Sequence, residues 1–266
     1  MLTEEFVRNA LLAGSAIAVA SGAVGYFVVL RAQVFAGDAL SHVAFTGVLA
    51  AALAGINLQV GLFAATIAVA LLFAALGDRL HADDVAIGVI FAWVLGLGVL
   101  FLYLFNRTNG TNGVIASRAL FGSIFSLTAH QTEVAVVIAA GVATLLAGIA
   151  RPLLYATIAP QTAAARGVRV GLLGGAFLVL LGIDAGEATQ AVGALLLLGL
   201  IAAPAGAALR LTANPMHGLA LSIGFALGSI WGGVTIAYLI PTLPPSSAII
   251  GVAVAIYAAA YVKPRL

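Results

Sequence analysis

Apolar runs of about 20 residues follow one another along the whole chain, at 10–30, 39–57, 59–77, 85–105, 132–150, 170–183, 188–208, 216–240 and 247–262. A helix rising about 1.5 Å per residue needs roughly 20 such positions to cross about 30 Å of hydrocarbon. The nine runs, two of them short, predict an all-α polytopic membrane protein. Between Phe105 and Gln131 the pattern is mixed: residues 106–113 are rich in Asn and Gly and read as a turn, while 119–127 are apolar enough for a short or re-entrant helix. The expectation is therefore nine or ten membrane segments in one transmembrane domain, residues 1–266. The first run is too long for a signal-peptide core and reads as a retained span.

Basic residues set the sidedness. With nine spans and a cytoplasmic C-terminus, eight Lys and Arg lie inside and three outside, and with ten the split is nine to two. Both schemes put residues 151–169 and the C-terminus in the cytoplasm. The ten-span scheme turns the loop before Asp38 outward and places Asp38 at the outer end of the second helix.

Composition narrows the class. Of 266 residues 63% are hydrophobic and 8% charged, and the mean hydropathy is +1.19. No loop reaches the roughly 50 residues of a soluble domain, so any nucleotide-binding or substrate-capturing domain belongs to another polypeptide. A net charge of +2, with basic residues scattered, offers no nucleic-acid surface. Without cysteine there are no disulfides, thiolate ligands or cysteine nucleophiles, and two methionines do not make a soft-metal relay. Thirty-one glycines suit close helix packing, as in the stripe Gly224, Gly228 and Gly232.

Candidate chemistry concentrates in Gly37-Asp38-Ala39-Leu40-Ser41-His42. Four residues apart on a helix, Asp38 and His42 share a face inside an apolar run. A carboxylate and a neutral imidazole suit Zn²⁺, Mn²⁺ or Fe²⁺, and two ligands are too few for a closed structural site but fit a transit site that must release its ion. The same pair has a structural reading, with Asp38 as a helix cap and His42 hydrogen-bonded within the bundle. The other histidines read as surface groups: His217 at a helix start, His81 in a hydrophilic turn with Asp78, Asp83 and Asp84, and His130 near Glu133. Asp184 and Glu187 read as a turn between two apolar runs, hydrating it or offering an acidic docking spot. The segment 241–247 reads as a stiff link.

Residues 160–166 form a short cytoplasmic helix ended by Gly167, either a peg for a groove on another protein or an ordinary interfacial helix. No Gly-x-x-x-x-Gly-Lys-Ser/Thr loop is present, so the chain has no visible means of binding ATP, and energy comes from a partner or an ion gradient. Ser41 and His42 are adjacent and so face different ways, a poor nucleophile and base, which argues against an intramembrane hydrolase and against an enzyme altogether.

The run 37–42 and Pro160-Gln161-Thr162-Ala163-Ala164-Ala165-Arg166-Gly167 together resemble the membrane permease of the zinc/manganese/iron ABC import systems. The similarity continues through 86–90, 120–124 and 193–205 and spans about residues 10 to 262. The resemblance implies a prokaryotic plasma-membrane homodimer with two cytoplasmic ATPase subunits that bind the ATP, and an extracytoplasmic metal-binding protein that delivers the ion. It implies metal-coordinating roles for Asp38 and His42, no tightly bound cofactor, and a coupling region at 156–169 with Pro160, Ala163, Arg166 and Gly167 toward the ATPase. A secondary divalent-metal transporter or channel driven by an ion gradient uses the same pair but leaves 160–167 unexplained. The chain departs from the family pattern twice: Phe45-Thr46-Gly47 stands where Leu-Pro-Gly is usual, and Ala159 precedes Pro160 where aspartate is usual.

Overall fold

The computed structural model describes residues 4–80, 84–109, 117 and 119–262, and among them the chain is helical with no strand. The first four helices are α1 (Glu5–Leu30), α2 (Val34–Ala54), α3 (Leu58–Leu80) and α4 (Asp84–Asn109). A 3₁₀ turn at Ile124–Ser126 leads to α5 (Ala129–Ile158), α6 (Pro160–Ala165), α7 (Val170–Val192), α8 (Leu197–Leu211), α9 (Pro215–Leu239) and α10 (Pro245–Val262). Residues 110–113 of the expected Asn/Gly turn, with His81 and Asp83, lie outside the described residues. The described part of that turn is instead the last of α4, which runs on through Asn109.

Among the described residues eight helices, all but α6 and α8, are long and apolar enough to cross a membrane, so the expected nine or ten segments are not found. The apolar run at 188–208 is divided: its first residues complete α7 and the rest make α8, of 15 residues. The break is at Gly193, whose φ of 92° side chains rarely adopt. A Cβ there would lie 2.3 Å from the carbonyl carbon of Phe121. That contact is fixed by two backbone hydrogen bonds, Ala194 N–H to the Ala119 carbonyl and Leu195 N–H to the Leu120 carbonyl, both 3.1 Å. The segment 119–127 is thus a clasp over the α7–α8 turn, and its only regular element past Phe121 is the single 3₁₀ turn.

Helix α1 occupies the middle, packed on α5, α7, α8 and α9. Such packing in lipid rests on close contact and interhelical hydrogen bonds rather than on a water-driven core. Ser222 of α9 donates to the Gly22 carbonyl at 2.6 Å, and a Cβ at Gly22 would lie 2.8 Å from the Ile223 Cα. Of the stripe on α9, Gly232 faces Val252 and Gly228 faces Ile256, while Gly224 is open.

Two contacts identify the ends of the bundle. Arg31, just past α1, donates to Thr157 near the end of α5 at 3.1 Å, and its guanidinium lies 5.5 Å from the Phe177 ring. Burial lowers the Arg31 pKa from its usual value. At the other end Phe6 meets Phe125 edge-on, 5.5 Å between centroids. The α1–α2 turn therefore sits at the α6 end. The ten-span expectation, with the turn before Asp38 on the side opposite 151–169, fails because 119–127 does not cross. Ala32 takes a left-handed φ of 55° in this turn.

Candidate metal pathway

Asp38 and His42 lie one turn apart within α2 and both are half-buried. They share the α2 face that meets α4: the His42 ring is 5.4 Å from the Phe91 ring, and Phe35 packs edge-on against the same ring at 5.9 Å. The reading of Asp38 as a cap does not hold, since the N-cap is Gln33 and Asp38 is more than a turn inside the helix.

The Phe45-Thr46 departure leaves α2 unbroken. The Thr46 hydroxyl donates to the Val94 carbonyl at 3.1 Å and is 3.3 Å from the His42 carbonyl. One turn beyond His42, it ties α2 to α4 where the family pattern has a proline without a donor. Ser41 points elsewhere, donating to the Ala194 carbonyl at 3.0 Å and the Asp38 carbonyl at 2.6 Å. That orientation removes it from His42 as a catalytic partner.

Among the described residues no three His, Cys, Asp or Glu side chains gather closely enough to hold a metal together. Asp38 and His42 offer one carboxylate and one imidazole, donor types that borderline divalent ions accept, and two donors are fewer than a full coordination shell.

The acids Asp184 and Glu187 are not in a turn. Both lie inside α7, 2% and 4% exposed, so neither hydrates a loop nor offers an exposed docking spot. The reading failed because Gly182, Asp184, Gly186 and Glu187 mimic turn chemistry. Packing explains the glycines: a Cβ at Gly182 would lie 3.0 Å from the Thr66 carbonyl oxygen of α3. The Ser21 hydroxyl of α1 donates to Asp184 Oδ1 at 3.1 Å. Gln190 donates to Glu187 Oε2 at 3.2 Å, and Gln59 of α3 donates to Gln190 Oε1 at 3.1 Å. The signal available in the sequence was the 23-residue span from Val170 itself, long enough to enclose both acids.

At the end of the bundle near Ile158, α6 begins with Pro160 and ends at Ala165, capped by Arg166, with Gly167 at φ 82°. Ala163 is fully buried and anchors the helix, so it is not part of an exposed docking face. Pro160, Arg166 and Gly167 are exposed, and the Arg166 guanidinium lies 5.8 Å from the Tyr155 ring. His130, Glu133 and His217 are exposed, as read from the sequence. The His217 N–H is held by the Asn214 cap at 3.3 Å.

Residues 3–263 match the family model described as the ABC 3 transport family. The chain is 31% identical over 231 residues to the "Manganese import system permease protein ScaB" of Streptococcus parasanguinis, covering 85% of this chain and 80% of that protein. It is 27% identical over 235 residues to the "Probable iron transport system membrane protein" of Haemophilus influenzae, covering 88% and 85%. In fold it resembles a chain of "PsaBC from Streptococcus pneumoniae in complex with Fab", with TM-score 0.85 over 99% of this chain and 94% of that one, at 24% identity.

Proposed function

Because the chain belongs to the ABC 3 transport family, we propose that it lines the membrane path of a divalent-metal importer, with Asp38 and His42 as transient ligands. The observation that carries this reading is the placement of the pair: a carboxylate and an imidazole on one half-buried face of α2, within the apolar part of the bundle. The names of the similar proteins from S. parasanguinis and H. influenzae favour Mn²⁺ or iron as cargo. Both are ions that oxygen and imidazole ligands accept, as is Zn²⁺.

The pair is two ligands, short of a full shell. A second copy of the chain presenting the same face would supply the rest, which supports the homodimer as the working unit. The exposed part of α6, with Pro160, Arg166 and Gly167 inside the coupling region 156–169, is the contact for a separate ATPase, one on each copy. Ala163 contributes by fixing α6 to the bundle. An extracytoplasmic metal-binding protein delivers the ion at the end opposite α6. Closure of the ATPases moves α6 and, through the Arg31 to Thr157 contact, the turn that leads into α2.

The test is uptake of Mn²⁺, Fe²⁺ and Zn²⁺ at matched free concentrations in proteoliposomes holding the full complex. Asp38→Asn keeps size and removes the charge, and His42→Ala removes the donor nitrogen. Both should cut flux of the carried metal at least about tenfold while assembly is kept. Wild-type flux of all three metals in both variants would make the pair structural.

A further inference from the structure

We propose that Asp184 and Glu187 form a second ion site within the membrane, one that binds protons and exchanges them with a cavity at the end of the bundle opposite α6. The starting point is a shortage of donors. Asp184 is 2% exposed, its Oδ1 accepts one hydrogen bond from Ser21, and its Oδ2 is buried with no partner. An ionised carboxylate with a bare oxygen is among the costliest groups to keep in an apolar interior, whereas the neutral acid carries its own hydrogen there. Glu187, one turn further along α7 and 4% exposed, would add a second negative charge on the same face were both ionised.

Among the described residues the surrounding elements supply no countercharge to this face. Helix α1 presents Ser21, and α3 presents Leu62, Phe63 and Thr66 at the α7 glycines. Helix α2 meets α7 at Gly37 against Leu181, while its Asp38 and His42 belong to the face on Phe91. His130, Glu133 and Arg151 of α5 are exposed. In α8 and α10, Arg210 stacks on Tyr261, 3.9 Å from the ring. At the two ends of α1, Arg8 is exposed and Arg31 is bonded to Thr157.

A route to water is present. A cavity of about 220 Å³ is lined by Gln59, Gln131, Ser123, Ser126, Thr189 and Gln190, among others. Gln59 and Gln190 join its wall to Glu187 through the two hydrogen bonds at 3.1 and 3.2 Å. Asp184 lies six residues before Gln190, about 9 Å deeper at 1.5 Å per residue. A divalent ion here could not complete its shell from water or a second chain as at Asp38 and His42, because Asp184 and Glu187 are enclosed within the bundle and one oxygen of each is already held by Ser21 or Gln190. A proton needs only the one free oxygen. It comes from cavity water to Glu187, passes to Asp184 Oδ2, and returns the same way when the site ionises. The consequence is that pH on the cavity side acts on the contact between α1 and α7, because ionised Asp184 draws in water where Ser21 now closes the interface.

The experiment is infrared spectroscopy of the purified full-length permease in lipid, which requires no transport and so stands apart from the role given to Asp38 and His42. At neutral pH the wild type should show the carbonyl stretch of a protonated carboxylic acid, shifting in heavy water. Asp184→Asn should lose it. Should that variant fail to fold, Ser21→Ala keeps the acid but deletes its donor and should shift the band, and Glu187→Gln should change its titration. Absence of the band in the wild type, its persistence unchanged in Asp184→Asn or in both other variants, or its loss on adding Mn²⁺ alone would overturn the proposal. The last result would make the pair a metal site.

Discussion

His42 carries the sharpest residue-level consequence. An imidazole donates to a metal only when neutral, and its ordinary pKa is about 6.5. Acidification should therefore reduce metal flux progressively, as protons compete with the ion. In a His42→Gln variant the acid limb should disappear along with most of the flux. A limb unchanged in that variant would assign it to another group. The pairing of Asp38 with His42 was legible because a spacing of four fixes a common face whatever the helix boundaries. What was not legible is their setting against Phe91, which is 49 residues further on and reaches His42 only through the packing of α2 on α4. Asp184 was misread for the complementary reason. The glycines beside it look like turn residues in sequence, and only the approach of α3 shows that they are there for close contact.

At the scale of elements, two glycines allow a contrast. Gly193→Ala forces a side chain onto a left-handed backbone and into the 119–121 clasp. Strain of this kind costs on the order of 1–3 kcal/mol, so the melting temperature of the purified permease should fall by several degrees. Gly96→Ala in α4 meets nothing within 4 Å and should leave it unchanged. Equal effects from the two would place the α7–α8 break elsewhere. Ser222→Ala removes one interhelical hydrogen bond, worth about 0.6 kcal/mol in lipid. At α6, Gly167 has φ 82° and open space around it, so Gly167→Val strains only the end of that helix. Weaker capture of the ATPase by a normally inserted permease is the expected outcome in a pull-down, and full capture would move the docking surface away from α6. The short helix and its glycine stop were readable from Pro160 and Gly167. The division of 188–208 was not, because the hydrogen bonds that fix it come from a segment about 70 residues earlier.

For the whole molecule, hydropathy gave the class, and the eight long apolar helices among the described residues agree with it. The number of spans was beyond it: a run of apolar residues does not say whether it crosses, stops halfway or clasps a turn. Parity then decided sidedness, and the Arg31 to Thr157 contact now puts the start of α2 beside α6. Under the proposed function, force applied at α6 would reach the Asp38 helix across that one hydrogen bond. The most direct test is Mn²⁺ uptake by the permease in proteoliposomes, measured with the partner ATPase and ATP, and again with the permease alone under an imposed ion gradient. Uptake that requires the ATPase and ATP hydrolysis, and is absent under the gradient, is the predicted result. Robust gradient-driven uptake by the chain alone would contradict it and identify a secondary transporter.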